Sequence, residues 1–198
     1  MSPSRLVPEK LPEAKVERVF PAEGPAPRPV SVGRTDDYDL MGTCIHNIFA
    51  ICRPDTPADA MRAKAQRIIN AHGMSEVLPR VDEVLGSVSA FYAFMERTYG
   101  PACRIEREWP FSMPMDGQLL AGEIDLVWVL PGGKDCVLVD FKNFPGALSE
   151  LLLADGAHYA GRYAPQLGAY ARALSGAGLQ VKDKLLYYAV LGVVLRVE

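Results

Sequence analysis

Apolar residues recur with the period of an α-helix through the first half of the chain. In residues 40–52 they lie three or four positions apart, at Met41, Cys44, Ile45, Ile48, Phe49 and Cys52. This spacing places them on one face of a helix. The same pattern predicts two further helices, over residues 58–71 and 79–99, with proline or glycine at the boundaries between the helices.

The second half of the chain changes to the pattern of β-strands. Three stretches rich in β-branched and aromatic residues are separated by turn sequences that contain proline and glycine, and they span residues 103–113, 118–130 and 135–141. A helix is predicted over residues 163–175, and one or two strands over residues 184–197. Helices followed by a three-strand meander, a helix and a terminal strand indicate an α/β domain with a mixed central β-sheet flanked by helices.

The N-terminal segment differs from the rest of the chain. Residues 1–33 contain seven prolines among charged residues and few large apolar ones, which predicts a linker or tail before a domain at residues 34–198. Within this segment, the apolar residues of 16–20 are compatible with a short strand that docks on the domain.

Composition limits the class of protein. The chain has 198 residues, 49% of them hydrophobic and 23% charged, which suits one globular domain with a core. No apolar stretch has the length of a membrane span, and the N-terminus lacks the apolar core of a signal peptide. The four cysteines are scattered, without a C-x-x-C pair, so we expect reduced thiols in a cytoplasmic protein and no zinc knuckle or iron–sulfur cluster.

The net charge of −3 argues against tight, autonomous binding to nucleic acid, because such domains are usually basic. It does not exclude a nuclease, since the acids of a metal site count in this balance and the metal ion does not.

Asp140 and Lys142 carry the clearest chemical signal. They follow an apolar run and alternate on one predicted strand, so both side chains project from the same face. Asp125 lies on the preceding strand, one hairpin away. Two carboxylates can bind Mg²⁺, and an ammonium beside them can stabilise negative charge on a phosphate. Taken alone, the Asp140–Lys142 pair is also compatible with a solvated ion pair at a strand end.

Four short motifs resemble those of RecB-type nucleases of the PD-(D/E)XK superfamily. Three are the G-x-x-D strand at residues 122–125, the D-x-K strand at residues 140–142 and the Q-x-x-x-Y helix at residues 166–170. The fourth, Gly42 to His46, is similar to the family's G-x-x-x-H helix. The resemblance covers about residues 40 to 190. It implies a restriction-endonuclease-like core with an N-terminal helical segment, similar to the C-terminal nuclease domain of AddA or RecB.

The resemblance implies a role for each matching residue. His46, Asp125 and Asp140 would bind the metal ion, and Lys142 would be the catalytic lysine beside Asp125 and Asp140. Gln166 and Tyr170 would support the site or contact the DNA strand. Without the resemblance, His46 also fits a core or boundary residue, and Gln166 and Tyr170 fit a polar helix rim with the tyrosine half buried.

Two glutamates lie near the motifs. Glu123 precedes Asp125 by two positions and therefore shares its face of the strand, where it is a candidate additional acid. Glu108 lies in the preceding strand and could also approach the site, although we prefer to interpret it as a surface charge.

The resemblance implies a Mg²⁺- or Mn²⁺-dependent deoxyribonuclease, an exonuclease domain that acts in DNA repair and recombination with a helicase domain or subunit as partner. The chain is then either a part of such a helicase–nuclease or a stand-alone relative. One alternative is a catalytically inactive nuclease-fold module that docks on DNA or serves a structural role. Another is a metal-free α/β interaction domain.

Overall fold

A computed structural model describes residues 2, 3, 6, 14–19, 30–53, 55–115, 117–144, 146–151 and 159–197. The elements in chain order are β1 (Ala14–Arg18), α1 (Tyr38–Ile51), α2 (Ala58–Ala71), α3 (Val81–Tyr99), β2 (Arg104–Met115), β3 (Gln118–Val129), β4 (Asp135–Lys142), α4 (Leu148–Leu151), a 3-10 helix (Tyr159–Tyr163), α5 (Ala164–Gly176), β5 (Gln180–Tyr188) and β6 (Val193–Val197). The predicted α/β class is confirmed. Each predicted helix and strand is present, with boundaries that differ by at most a few residues.

The strands form one mixed sheet in the order β1-β6-β5-β4-β3-β2. β4 and β5 are parallel and α5 connects them, while the other neighbouring strands are antiparallel. The terminal apolar segment therefore forms two strands. A parallel pair needs a crossover connection, and α5 supplies it on one face of the sheet.

Alternation along β4 divides the core between the two faces of the sheet. Val137, Val139 and Phe141 pack in a cluster with α1, α2 and α3, whereas Cys136 and Leu138 pack in a second cluster with α5. Helices thus cover both faces, which explains why β4 reads as a continuous apolar run and not as an alternating one.

Parts of the N-terminal segment contact this body. β1 pairs with β6 at the edge of the sheet, so the short strand expected near residues 16–20 is present. Val30 is buried and its N–H donates to the carbonyl of Val190. Most of the proline-rich stretch, including residues 7–13 and 20–29, lies outside the described residues, and so does the linker predicted there.

Helix length and polarity bear on the expected absence of membrane spans. Within the described ranges, each helix is too short or too polar to pass through a lipid bilayer.

Candidate metal centre

The candidate site forms where β3 and β4 separate. Their antiparallel ladder joins residues 126–129 to residues 136–139, and its last pair is Leu126 with Val139. Asp125 and Asp140 are the next residue on each strand. Beyond the ladder, the N–H of Phe141 donates to Asp125 Oδ2 at 2.6 Å. A side-chain carboxylate thus accepts this hydrogen bond in place of a backbone carbonyl of β3. The end of the ladder therefore places two buried carboxylates side by side.

Asp140 and Lys142 form an ion pair at the end of β4. Lys142 Nζ lies 2.6 Å from Asp140 Oδ2, and the aspartate is 1% exposed. The lysine side chain is 18% exposed, and its ammonium lies 4.4 Å from the centre of the Tyr163 ring. Alternation along the strand brings the two charges together, and the tyrosine at the end of the 3-10 helix covers the cation. Tyr163 is a neighbour that the motif pattern does not include.

His46 reaches this gap from α1. Its Nε2 lies 2.8 Å from Glu108 Oε1, and its Nδ1 lies 3.8 Å from Asp125 Oδ2. The ring packs edge-on against Phe141, with centroids 6.1 Å apart. The imidazole is 27% exposed and lies between two carboxylates, so His46 belongs to the polar centre and not to the apolar core.

Glu108 approaches the site, so its preferred interpretation as a surface charge is wrong and the alternative is correct. Its side chain is 34% exposed and is hydrogen-bonded to His46. The pairs Arg107–Leu126 and Trp109–Ile124 flank it, which places Glu108 opposite Asp125 across the β2–β3 hairpin. Counting outward from the predicted turn at residues 114–117 pairs Glu108 with Glu123 instead, two residues away from the observed register, so sequence reasoning missed this residue.

The backbone at Glu108 is unusual. Its φ of 47° lies in the left-handed region, which side chains other than glycine seldom adopt. Such conformations cost about 1–3 kcal/mol and concentrate at functional sites. The strand is therefore distorted at the residue whose carboxylate meets His46.

Gln166 and Tyr170 support Asp140 from α5. Gln166 Nε2 lies 3.3 Å from Asp140 Oδ1 and 2.7 Å from the Tyr170 hydroxyl, and donates to both. Both side chains are buried, which differs from the polar helix rim considered above. One helical turn separates them, so a single face of α5 braces the aspartate. Glu123, in contrast, is exposed and takes no part in this cluster.

Burial and mutual repulsion shape the charges of the site. Burial, followed by the nearby Asp140 carboxylate, raises the pKa of Asp125 to about 8. Burial also raises the pKa of Asp140, with the Lys142 ammonium opposing the rise. The hydrogen bond that the His46 ring donates to the Glu108 carboxylate raises the pKa of His46, although burial opposes the rise. Burial lowers the pKa of Lys142, but the Asp140 carboxylate outweighs this and raises it overall. Three acids, Glu108, Asp125 and Asp140, thus face two basic groups, His46 and Lys142.

These side chains suit a divalent cation. His46, Glu108 and Asp125 each offer one ligand atom, and the three atoms lie within 4.8 Å of one another. Carboxylate oxygens suit Mg²⁺ and Mn²⁺, and an imidazole nitrogen suits Mn²⁺ better. A cation would also offset the repulsion that raises the pKa of Asp125. The predicted set was His46, Asp125 and Asp140. The structure adds Glu108, while Asp140 contacts Lys142 and Gln166.

Glu108→Gln should weaken Mn²⁺ binding by at least about tenfold, because the amide keeps the shape but loses the charge that faces His46 and the cation. Isothermal titration of the purified protein with Mn²⁺ measures this effect. Glu123→Gln is the matched control, since it removes an exposed charge from the neighbouring strand and should leave the affinity unchanged. Equal affinities for Glu108→Gln and the parent protein would remove Glu108 from the site.

Comparison with known proteins adds no family assignment. A scan against models of protein families gives no match, and a search of curated proteins gives no significant match. The resemblance to RecB-type nucleases thus rests on the sequence motifs alone.

Proposed function

We propose that this protein is a metal-dependent DNA nuclease of the RecB type that hydrolyses phosphodiester bonds with Mg²⁺ or Mn²⁺. One observation carries the proposal: Asp125, Asp140 and Lys142 converge where β3 and β4 separate, within reach of His46 and Glu108. Buried acids and a histidine can hold a metal ion that activates water, and a lysine beside them can stabilise charge on a phosphate, which together support phosphodiester hydrolysis.

The roles follow from the contacts. His46, Glu108 and Asp125 would hold the metal ion, with Asp140 beside them. When bound, the ion supplies a Lewis acid and lowers the pKa of a bound water. The Lys142 ammonium, already directed into the site by Asp140, stabilises the negative charge that builds on the phosphate.

The reaction is a direct hydrolysis. The water oxygen bonds to phosphorus and gives up a proton, one ester P–O bond breaks, and the leaving oxygen takes up a proton from solvent. Gln166 keeps the Asp140 carboxylate oriented through its amide N–H. No step requires a covalent bond to the protein.

The resemblance extends the proposal to an exonuclease domain in DNA repair and recombination that works with a helicase domain or subunit. Such a partner would deliver the DNA end, which agrees with a net charge of −3 that gives the chain little affinity of its own for DNA.

An assay on single- and double-stranded DNA, linear and circular, tests the activity. We expect cleavage with Mg²⁺ or Mn²⁺ and none with EDTA. A requirement for free ends indicates exonuclease action. DNA binding without cleavage under every metal condition would contradict the enzyme proposal and favour an inactive DNA-docking module.

A further inference from the structure

A cleft of about 430 Å³ opens beside the candidate metal centre. One wall is a face of α1, and the other is the end of β4. Its lining residues are Tyr38, Asp39, Gly42, Thr43, His46, Phe141, Lys142 and Asn143. Because His46 and Lys142 also belong to the candidate metal centre, a ligand in the cleft would contact that centre.

Tyr38 supplies an exposed aromatic ring at the other end of the cleft. It is 48% exposed, and among the aromatic side chains that the structure describes it alone falls in the exposed class. Tyr38 and His46 are eight residues apart on α1, about 12 Å along the helix axis, and lie on the face that lines the cleft. One nucleotide, from its phosphate to the far edge of its base, can cover that distance.

The charges that line the cleft indicate how a bound nucleotide would be oriented. Lys142 and His46 lie at one end, and Asp39 lies beside Tyr38 at the other. A phosphate near Asp39 would be repelled, whereas a neutral base with N–H donors would not. The phosphate therefore belongs at the Lys142 end and the base at the Tyr38 end.

The two walls are tied together. The Asn143 side chain donates to the carbonyl of Gly42 at 3.1 Å, which links the end of β4 to α1. A Cβ atom at position 42 would lie 3.2 Å from Asn143 Nδ2, so glycine permits this close approach. The cleft is thus held in shape by the fold itself, as ligand sites commonly are.

We propose that the cleft binds the base of the nucleotide next to the scissile phosphate, stacked on the ring of Tyr38. This inference rests on the proposed nuclease function and narrows its substrate. A base stacked on a protein side chain has left the duplex, so the substrate is a single strand or an unpaired end. Recognition by stacking tolerates every base, because each has a π-face.

An abasic nucleotide tests the stacking directly. The substrate is a single-stranded oligonucleotide with one cleavable phosphodiester, its other linkages being methylphosphonates. The base is deleted on the 5′ side or on the 3′ side of that bond. With the intact substrate, Tyr38→Ala should lower kcat/KM by about ten- to a hundredfold, and Tyr38→Phe should retain most of the activity. When the base is deleted at one of these two positions, Tyr38→Ala should not lower kcat/KM any further.

Two controls separate this inference from the nuclease proposal. Ile51→Ala removes another exposed apolar side chain from α1, outside the cleft, and should leave kcat/KM unchanged.

Binding of the same oligonucleotides to Asp140→Asn protein, with and without Tyr38→Ala, reports stacking when no cleavage takes place. Loss of the Tyr38 effect on abasic strands in this binding assay would support the inference even if the parent protein cuts no DNA. Equal losses on intact and abasic strands, at both positions, would overturn it while leaving the nuclease proposal in place. Equal cutting of single strands and of the interior of closed duplex circles would also overturn it.

Discussion

Lys142→Met should lower Mg²⁺-dependent DNA cleavage by at least about a hundredfold, the cost of removing one preorganised charge from the site of a developing negative charge. Methionine keeps the apolar stem and removes the ammonium. Asp140→Asn should lower cleavage at least as much, because it removes the charge that directs Lys142 and a carboxylate beside the proposed metal ligands. Initial rates on a labelled single strand at saturating Mg²⁺ give both values.

The fold should survive both substitutions. Asp140 and Lys142 are polar, and neither side chain belongs to the apolar clusters that hold the sheet to its helices. Circular dichroism at 25 °C should resemble that of the parent protein, although breaking the buried Asp140–Lys142 pair should shift the unfolding temperature. These measurements separate lost chemistry from lost structure.

A second lysine–aspartate pair provides the matched control. Lys182 Nζ lies 3.3 Å from Asp135 Oδ2 on the neighbouring parallel strands, but both side chains are largely exposed and lie at the opposite end of these strands from Asp140 and Lys142. Lys182→Met should leave the cleavage rate unchanged. Parental activity in Lys142→Met, or an equal loss in Lys182→Met, would defeat the assignment of Lys142 as the catalytic lysine.

Asp125→Asn should stabilise the metal-free protein by about 1–4 kcal/mol near pH 8, because it removes an acid that the fold keeps from ionising at its ordinary pKa. Asparagine can still accept the hydrogen bond from the N–H of Phe141. Urea unfolding in the presence of EDTA measures the change. A buried carboxylate retained against this cost is what a metal site requires.

The pH dependence of this stabilisation follows from the raised pKa of Asp125. Asp125 ionises near pH 4 in the unfolded chain and at about 8 in the folded protein, where burial and then Asp140 oppose its charge. Its cost is therefore absent below pH 4, grows as the pH rises and is complete above pH 8. His46 and Lys142 face the same carboxylate, which contributes to raising the pKa of each, so both lose that contribution in the variant. The gain from Asp125→Asn should thus be larger at pH 8 than at pH 5.

Metal addition should reverse the order of stability. Saturating Mn²⁺ should raise the melting temperature of the parent protein and should have little effect on Asp125→Asn. Asp135→Asn, which changes an exposed aspartate, should alter stability by no more than about 0.5 kcal/mol in either condition. A destabilised Asp125→Asn protein in EDTA would show that Asp125 serves the fold and not a cation.

The fold was largely predictable because most of its signals are local. The predicted helix at residues 58–71 coincides with α2 (Ala58–Ala71), since its periodic apolar face and its boundary residues lie within a single stretch of sequence. The hairpin of β2 and β3 was predictable for the same reason. The pairing of β1 with β6 was not, because these strands lie at opposite ends of the chain and no local pattern specifies a partner.

The sequence by itself determined which charges exist and how they alternate: an acid and a lysine two positions apart share a face of any strand, and the acid one hairpin earlier shares their neighbourhood. Only the tertiary structure decided what those charges contact. The separation of β3 from β4 at Asp125, the arrival of His46 from α1 and of Gln166 from α5, and the placing of Glu108 opposite Asp125 depend on how helices pack on the two faces of the sheet. The physical reason is that alternation is a property of a few consecutive residues. A site in which several acids and a histidine surround one position is assembled from distant segments, and only the packed core brings these segments together.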